Sequence, residues 1–154
     1  METLEPILRE HPFFKDLPEE YFNFIVGCAS HSVFKAGEVI LKEGQPANKF
    51  YLIRSGHVGI YIDQRKHISI QTLHEGDILG WSWLVPPYMH RFSAEARENT
   101  RVVALDGKCL REKCDKNSDL GYELLKRLIH ILIGRLEATR LQLIDVYNID
   151  VENK

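Results

Sequence analysis

One stretch of the chain, Gly76–Ala96, carries the residues whose types and spacing could bind an anion. An apolar strand leads into Gly80, where a brief turn begins, and a loop stiffened by two prolines follows. If residues 82–84 begin a helical turn, their backbone N–H groups can point at one spot. Arg91, or His90 beside it, can reach the same spot with charged donors. The spacing therefore predicts a cradle for an anion.

The same stretch resembles the phosphate-binding cassette of cyclic nucleotide-binding domains. The usual pattern in that family is Gly-Glu-apolar-small-Leu, a short loop, and then Arg-Ser/Thr-Ala. There the glutamate accepts the ribose 2′-hydroxyl, the arginine binds the cyclic phosphate, and the short helix offers backbone N–H groups. This chain keeps Gly80 and Leu84, but Trp81 replaces the glutamate and Phe92 replaces the small hydroxyl residue. The resemblance therefore implies a degenerate cassette with weak or no binding of cyclic AMP.

The basic residue of the cassette is ambiguous by one position. Counting forward from Gly80 places Arg91 on the family arginine, whereas counting back from Ala96 places His90 there. The loop between these anchors has a changed length, and Pro86-Pro87 predicts that it is held rigidly in a different shape. Both basic residues therefore stay candidates for the phosphate position.

Trp81 and Trp83 each allow two interpretations. They could stack on the base of a ligand, or they could fill the mouth of the barrel, as aromatic side chains most often fill cores. A missing carboxylate would cost a ribose hydroxyl a charge-assisted hydrogen bond of roughly 1.5–3 kcal/mol. That loss would weaken the affinity for a ribose-containing ligand by roughly tenfold to a hundredfold.

The resemblance also implies a contact from the long C-terminal helix, which in the family carries a hydroxyl that meets the base. Thr139 matches that place, but Arg140 stands where a second small hydroxyl is expected. Thr139 fits equally well as a polar layer in a helix seam. The candidate ligand-binding residues are therefore Gly80, Trp81, Ser82, Trp83, Leu84, His90, Arg91, Phe92, Ser93, Thr139 and Arg140.

Length and composition predict one globular domain over 1–154 and argue against several classes of partner. The chain is 44% hydrophobic and 27% charged, and its net charge of −2 argues against a protein that binds nucleic acid by neutralising phosphates. No apolar run approaches the roughly 18 residues that a membrane span needs. The N-terminus has no signal-peptide pattern. We therefore expect a cytoplasmic protein without nucleic acid or membrane partners.

The cysteines and histidines do not form a recognisable catalytic or metal pattern. Cys28, Cys109 and Cys114 are odd in number, and we expect them to be reduced thiols. A cupin-like metal enzyme would need a His-x-His pair, which is absent from the sequence. No phosphate-binding Gly-x-x-x-x-Gly-Lys loop occurs either. The sequence predicts no enzyme activity, no metal and no cofactor, apart from a cyclic nucleotide or another small anion as ligand.

Periodicity predicts helices at both ends of the chain and short strands between them. The predicted helices are Thr3–His11, Pro18–Ala29, Lys108–Asn117 and Leu120–Tyr147, and the predicted strands are 33–34, 39–41, 50–53, 58–62 and 68–73. Short strands at even spacing indicate a jelly roll. The amino-acid sequence from Lys35 to Val58 is similar to the barrel sequence of the family. We expect N-terminal helices at 1–30, a β jelly roll (double-stranded β-helix) at 31–106, C-terminal helices at 107–147 and a tail at 148–154.

The long C-terminal helix carries an apolar seam with spacing that alternates between four and three residues. Its members are Leu125, Ile129, Leu132, Leu136, Thr139, Leu143 and Val146. This heptad pattern predicts a homodimer through the helix 120–147. A second row at Leu124, Leu128 and Ile131 is expected to pack on the barrel.

Together these features favour a non-catalytic regulatory domain that senses a small anionic ligand and passes the signal to an unidentified protein partner. A second interpretation is a ligand-free interaction module in which Trp81 and Trp83 plug the pocket. A cupin-like metal enzyme is a third, and the missing His-x-His pair argues against it.

Overall fold

The computed structural model describes residues 4–62 and 69–152. This part of the chain contains α1 (Leu4–Glu10), α2 (Glu19–Val26), β1 (Ala29–Phe34), β2 (Val39–Leu41), β3 (Lys49–Ser55), β4 (Val58–Tyr61), β5 (Gln71–Leu73), β6 (Ile78–Leu79), β7 (Ser93–Ala96), β8 (Thr100–Asp106), α3 (Gly107–Lys116) and α4 (Ser118–Glu152). Thr3 and Ile68, where a helix and a strand are predicted to begin, lie outside the described residues, as do the last two residues of the predicted tail.

The strands form two antiparallel four-stranded sheets, in the orders β1-β8-β3-β6 and β2-β7-β4-β5. The expected mainly β jelly roll with flanking helices is therefore present. β8 pairs along its length with both β1 and β3, although it follows them by many residues in the chain. This pairing closes the jelly roll and fixes where α3 starts.

The sheet that contains β3 and β8 is covered on both faces, because successive side chains of a strand point to opposite sides. Phe50 and Leu52 of β3 face the helices, in a cluster that we call the helix-side core. Tyr51 and Ile53 face the second sheet, in a cluster that we call the inter-sheet core. Two separate apolar interiors thus meet at this one sheet.

The first part of α4 is packed against the helix-side core. Leu120, Leu124 and Leu128 are buried at intervals of four residues, which places them on one face of the helix. Ile131 is partly buried against the same core, as the sequence predicts. From there onward the helix is largely exposed, and it continues to Glu152, five residues past the predicted end. Within the described ranges, no helix is both long enough and apolar enough to cross a membrane.

The other helix boundaries shift by one to three residues from the predicted positions, and the end of α2 and the start of α3 show why. The second helix ends at Val26, and residues from Ala29 belong to β1, because they pair with β8 from Ala29 opposite Leu105. The third helix begins at Gly107, where the Asp106 carboxylate accepts a hydrogen bond from the Cys109 N–H at 3.0 Å. A side-chain cap of this kind stabilises a helix start.

The expectation of three reduced thiols is wrong for two of them. Cys28 and Cys109 form a disulfide, with their Cα atoms 5.8 Å apart, and Cys114 is free and buried. The pairing follows from the fold, because the Asp106 N–H donates to the Cys28 carbonyl at 2.9 Å just before α3 begins. That contact brings Cys109 over the turn between α2 and β1, within the separation at which disulfides form.

Candidate functional site

The predicted cradle begins at Gly80, directly after β6, and we call residues 80–91 the cassette turn. Gly80 has a φ of +90°, which favours glycine over any residue with a side chain. A Cβ atom there would lie 3.5 Å from both the Leu41 Cδ1 atom and the Lys49 carbonyl oxygen. The bend predicted at this position is therefore present, and it lies beside the strands β2 and β3.

The cassette turn is a pair of hydrogen-bonded turns rather than a helix. The Leu84 N–H donates to the Trp81 carbonyl at 3.5 Å, and the Tyr88 N–H donates to the Val85 carbonyl at 3.0 Å. Arg111 of α3 holds the turn from outside. Its guanidinium donates to the Trp83 carbonyl and lies 4.2 Å from the centre of the Tyr88 ring.

His90 and Arg91 differ in exposure, although they are consecutive residues just before β7. The backbone of His90 is fixed by two hydrogen bonds, to Gly44 and Gln45. Its side chain is 8% exposed and lies beside Gly80, and burial lowers its pKa. The side chain of Arg91 is exposed. His90 thus lies inside the fold as a neutral imidazole, whereas Arg91 can be reached from solvent.

A cavity of about 230 Å³ opens between the two sheets beside Gly80, and we call it the mouth cavity. Two lysines, Lys42 and Lys49, line it together with His90. Tyr51 also lines it, and burial raises the pKa of the Tyr51 phenol. The lining of the mouth cavity therefore combines two positive charges with apolar side chains.

Ser82 and Ser93 are both buried. The Ser93 hydroxyl oxygen accepts a hydrogen bond from the Glu43 N–H at 2.9 Å, across the pair β2–β7. Ser93 therefore joins the start of β7, just after the cassette turn, to the loop that follows β2.

The two tryptophans have different surroundings. Trp83 is fully buried in the helix-side core, where it stacks on Phe50 with ring centres 4.7 Å apart. Trp81 is partly buried and contacts both cores, with its ring centre 5.1 Å from that of Phe92. Only Trp81 of this pair reaches the space between the sheets. Phe92 itself is 9% exposed and belongs to the inter-sheet core.

Arg135 connects the cassette turn to α4. Its guanidinium carbon lies 4.8 Å from the centre of the Trp81 ring, and one of its nitrogens donates to the Ile78 carbonyl. The outer face of Trp81 is thereby covered by a cation, while its other neighbour is Phe92. A cation over an indole face is attractive, so this contact holds the helix against the cassette turn.

Thr139 and Arg140, the predicted helix contacts, are both exposed. The Thr139 hydroxyl donates to the carbonyl of Arg135 in its own helix at 2.9 Å. The α4 residue that reaches the cassette turn is Arg135, one turn earlier. Helical periodicity could have found it, because Arg135 follows Leu124 and Leu128 on the same face. Arg111 gave no comparable signal, since its role depends on where α3 packs.

Within the described ranges, no group of three or more His, Cys, Asp or Glu side chains could hold a metal ion. The site consists instead of a positively charged opening, a rigid turn and a helix contact. Such an arrangement can bind an anion and can transmit its presence to a helix.

Residues 31–117 match the family model for the cyclic nucleotide-binding domain, and the chain belongs to that family. A solved structure of a protein described as cyclic nucleotide-binding, from Geobacter metallireducens, superposes with a TM-score of 0.80 at 30% identity. The match covers 88% of this chain and 99% of that one. A cyclic nucleotide-binding domain from Methylobacillus flagellatus has the same fold, with a TM-score of 0.74 at 20% identity over 92% of this chain and 81% of that one.

Curated relatives include the cAMP-dependent protein kinase regulatory subunit of Dictyostelium discoideum. It is 28% identical over 133 residues, which is 82% of this chain and 41% of that protein. Human cGMP-dependent protein kinase 2 is 26% identical over 101 residues, 64% of this chain and 13% of that protein. The chain therefore spans less than half the length of these relatives.

Proposed function

We propose that this chain is a non-catalytic sensor that binds a small anionic molecule at the cassette turn and passes its presence to α4. The observation that carries the proposal is the Arg135 contact, because it joins the cassette turn to the long helix through one side chain. A ligand that moves Trp81 would disturb the contact between the Trp81 ring and the Arg135 guanidinium. The orientation or the mobility of α4 would then change as well. Family membership supports the same role.

The ligand is proposed to be an anion, because basic side chains surround the opening. Lys42 and Lys49 line the mouth cavity, and Arg91 is exposed at the end of the cassette turn. His90 supplies little charge, since burial lowers its pKa. We therefore assign the main charged contact to Arg91.

Cyclic AMP is proposed to be a poor ligand. Trp81 stands where a carboxylate would accept the ribose hydroxyl, and it is already engaged by Phe92 and Arg135. The missing hydrogen bond would weaken affinity by about tenfold to a hundredfold.

The test is a thermal-shift and calorimetry screen with cyclic AMP, cyclic GMP and cyclic dinucleotides. A ligand present at a hundred times its Kd adds about 2.7 kcal/mol of stability, which is a measurable shift in Tm. Arg91→Ala should abolish binding of whichever anion stabilises the wild type, and His90→Ala should leave most of it. The reverse result would assign the anion to His90. Micromolar binding of cyclic AMP by the wild type would contradict the proposed degenerate cassette.

We also propose that the sensor is a homodimer through α4. The seam residues Leu125, Ile129, Leu132, Leu136, Leu143 and Val146 are between 36% and 55% exposed. An apolar stripe of that length is rarely left in water, and its heptad spacing fits a second copy of the same helix. Thr139 would form the one polar layer of that interface.

A ligand-free interaction module is the second candidate. It is favoured by the filled inter-sheet core, in which Phe92, Tyr51 and Trp81 occupy the space next to the cassette turn. If no compound in the screen shifts Tm while the dimer persists, this second candidate replaces the sensor.

A further inference from the structure

A second and larger cavity lies along α4. It has a volume of about 510 Å³ and opens between the turn at Pro12 and Phe13, the loop at 76–78 and one flank of α4. We call it the flank cavity. It shares no lining residue with the mouth cavity.

The α4 wall of the flank cavity is basic. Lys126, Arg127, His130 and Arg135 line it from the helix, against the two acidic residues Asp77 and Glu123. Both acids have partners of their own. The Glu123 carboxylate lies 3.1 Å from the Lys126 ammonium group, and the Asp77 carboxylate accepts the His74 N–H at 2.8 Å. The two arginines are thus left without a carboxylate within 4.0 Å among the described residues.

Each arginine is anchored by backbone carbonyls and keeps one buried N–H group without an acceptor. Arg127 donates to the carbonyls of Phe13 and Lys15 at 2.9 and 2.8 Å, while its Nε atom has no partner among the described residues. Arg135 donates to the Ile78 carbonyl, and its Nη1 atom likewise has none. Burial lowers the pKa of Arg135 to about 10. Glu123 pairs with Lys126, and the Asp77 carboxylate acts on Arg135 against the effect of burial. The wall nevertheless keeps more N–H donors than acceptors and more positive than negative side chains.

The remaining lining is apolar. Phe13, Ile78 and Ile131 contribute apolar side chains to the flank cavity. A ligand with an apolar body and a charged head could therefore bury the body against these residues while its oxygens face the basic side chains. We propose that the flank cavity binds a small organic anion, an aromatic or aliphatic compound with one phosphate or carboxylate head.

The flank cavity would stay open in the proposed dimer. Successive residues of an α-helix are separated by about 100° around its axis. His130, which lines the cavity, and Leu132, which belongs to the seam, are therefore about 200° apart and lie on opposite flanks of α4. Arg135 lines the cavity and also covers Trp81. A ligand bound in the flank cavity would therefore change the contact between Arg135 and the cassette turn.

Methyl NMR of isoleucine-labelled protein tests the inference with phenyl phosphate as the probe. Saturable shifts are expected for the methyl groups of Ile78 and Ile131 in the cavity. The exposed Ile129, on the seam side of α4, and the exposed Ile144, nine residues beyond Arg135, serve as controls and should not shift. Benzyl alcohol, which has the ring without the charge, should bind at least about tenfold more weakly. Phenylacetate in place of phenyl phosphate then tells whether a carboxylate head suffices.

A charge-reversal variant separates binding in this cavity from general attraction to the protein. His130 and Lys126 are exposed, so the double variant His130→Glu and Lys126→Glu should fold and bind phenyl phosphate about tenfold or more weakly. The matched control Lys116→Glu and Lys108→Gln lowers the net charge by the same amount at exposed residues away from the cavity, and it should bind as the wild type does. Equal binding by the two double variants would overturn the inference.

The flank cavity is also distinguished from the cassette turn. Arg91→Ala should leave the Ile78 and Ile131 shifts unchanged, because Arg91 does not line this cavity. Loss of the shifts in that variant would show that the probe binds at the cassette turn instead. Absence of shifts up to millimolar probe, or equal shifts with benzyl alcohol, would also refute an anion site here.

Discussion

Replacing Trp83 with alanine should lower the free energy of unfolding by about 3–5 kcal/mol, the range for large aromatic residues in cores. The side chain is 0% exposed and lies parallel to the Phe50 ring, with an angle of 7° between their planes. Its indole buries about 200 Å² of surface, worth roughly 5 kcal/mol as an upper bound at 25 cal/mol per Å². The Nε1–H group is buried without a partner among the described residues, which offsets about 1–3 kcal/mol of that gain. The cavity that alanine leaves adds to the remaining loss and brings it to about 3–5 kcal/mol.

The same energy estimate predicts a smaller effect for a second substitution at Trp83. Trp83→Phe keeps the stack on Phe50 and removes the unpartnered N–H group, so it should cost much less than Trp83→Ala. Trp81→Ala should also cost less, because Trp81 is only partly buried. The measurement is urea unfolding followed by circular dichroism at one fixed protein concentration, since a dimer makes stability depend on concentration. A loss below about 1 kcal/mol for Trp83→Ala would refute the placement of Trp83 in the helix-side core.

Three further predictions concern the disulfide, pH and the dimer. Thiol counting in denaturant without reductant should find one thiol per chain, that of Cys114, and a count of three would contradict the pairing. Cys28→Ser should lower the free energy of unfolding by about 4–5 kcal/mol, because the disulfide closes a long loop. Burial lowers the pKa of His11 to about 4, so its stabilising contribution is complete above pH 6.5 and is lost as pH falls towards 4. About 2 kcal/mol should disappear between pH 7.5 and pH 5 by urea unfolding, and His11→Gln should abolish that part of the slope or the burial argument fails. Replacing Leu136 and Leu143 with Asp should convert a sedimenting dimer to a monomer or cause aggregation, and a wild type that sediments as a monomer would rule out the seam.

The sequence predicted the fold class because its pattern is local. Short apolar runs between glycines and a helix without proline depend on neighbouring residues only, and these runs are β strands and α4 in the structure. Gly80 was predicted at a bend for the same reason, since its positive φ is a property of one residue. The row at Leu124 and Leu128 was predictable from helical spacing alone, and both residues are buried.

Contacts between distant segments were not predictable in this way. The disulfide joins residues 81 positions apart, and it depends on β8 delivering the start of α3 to the turn before β1. The inward position of His90 depends on backbone hydrogen bonds to Gly44 and Gln45, which lie in a different loop. Residue spacing counts positions along the chain, whereas these contacts are set by how two sheets and a helix pack.

The sequence by itself therefore determined the family pattern, the turn at Gly80 and the apolar seam of α4. Tertiary structure decided which side chains surround the candidate site. It buried Trp83 in the helix-side core and left Trp81 in contact with both cores, although the two are only two residues apart. It also brought Arg135, rather than Thr139, to the cassette turn. The physical reason is that the sheet made by β1, β8, β3 and β6 separates two cores. A side chain near the edge of that sheet can enter either core, and the packing of the helices determines which one it enters.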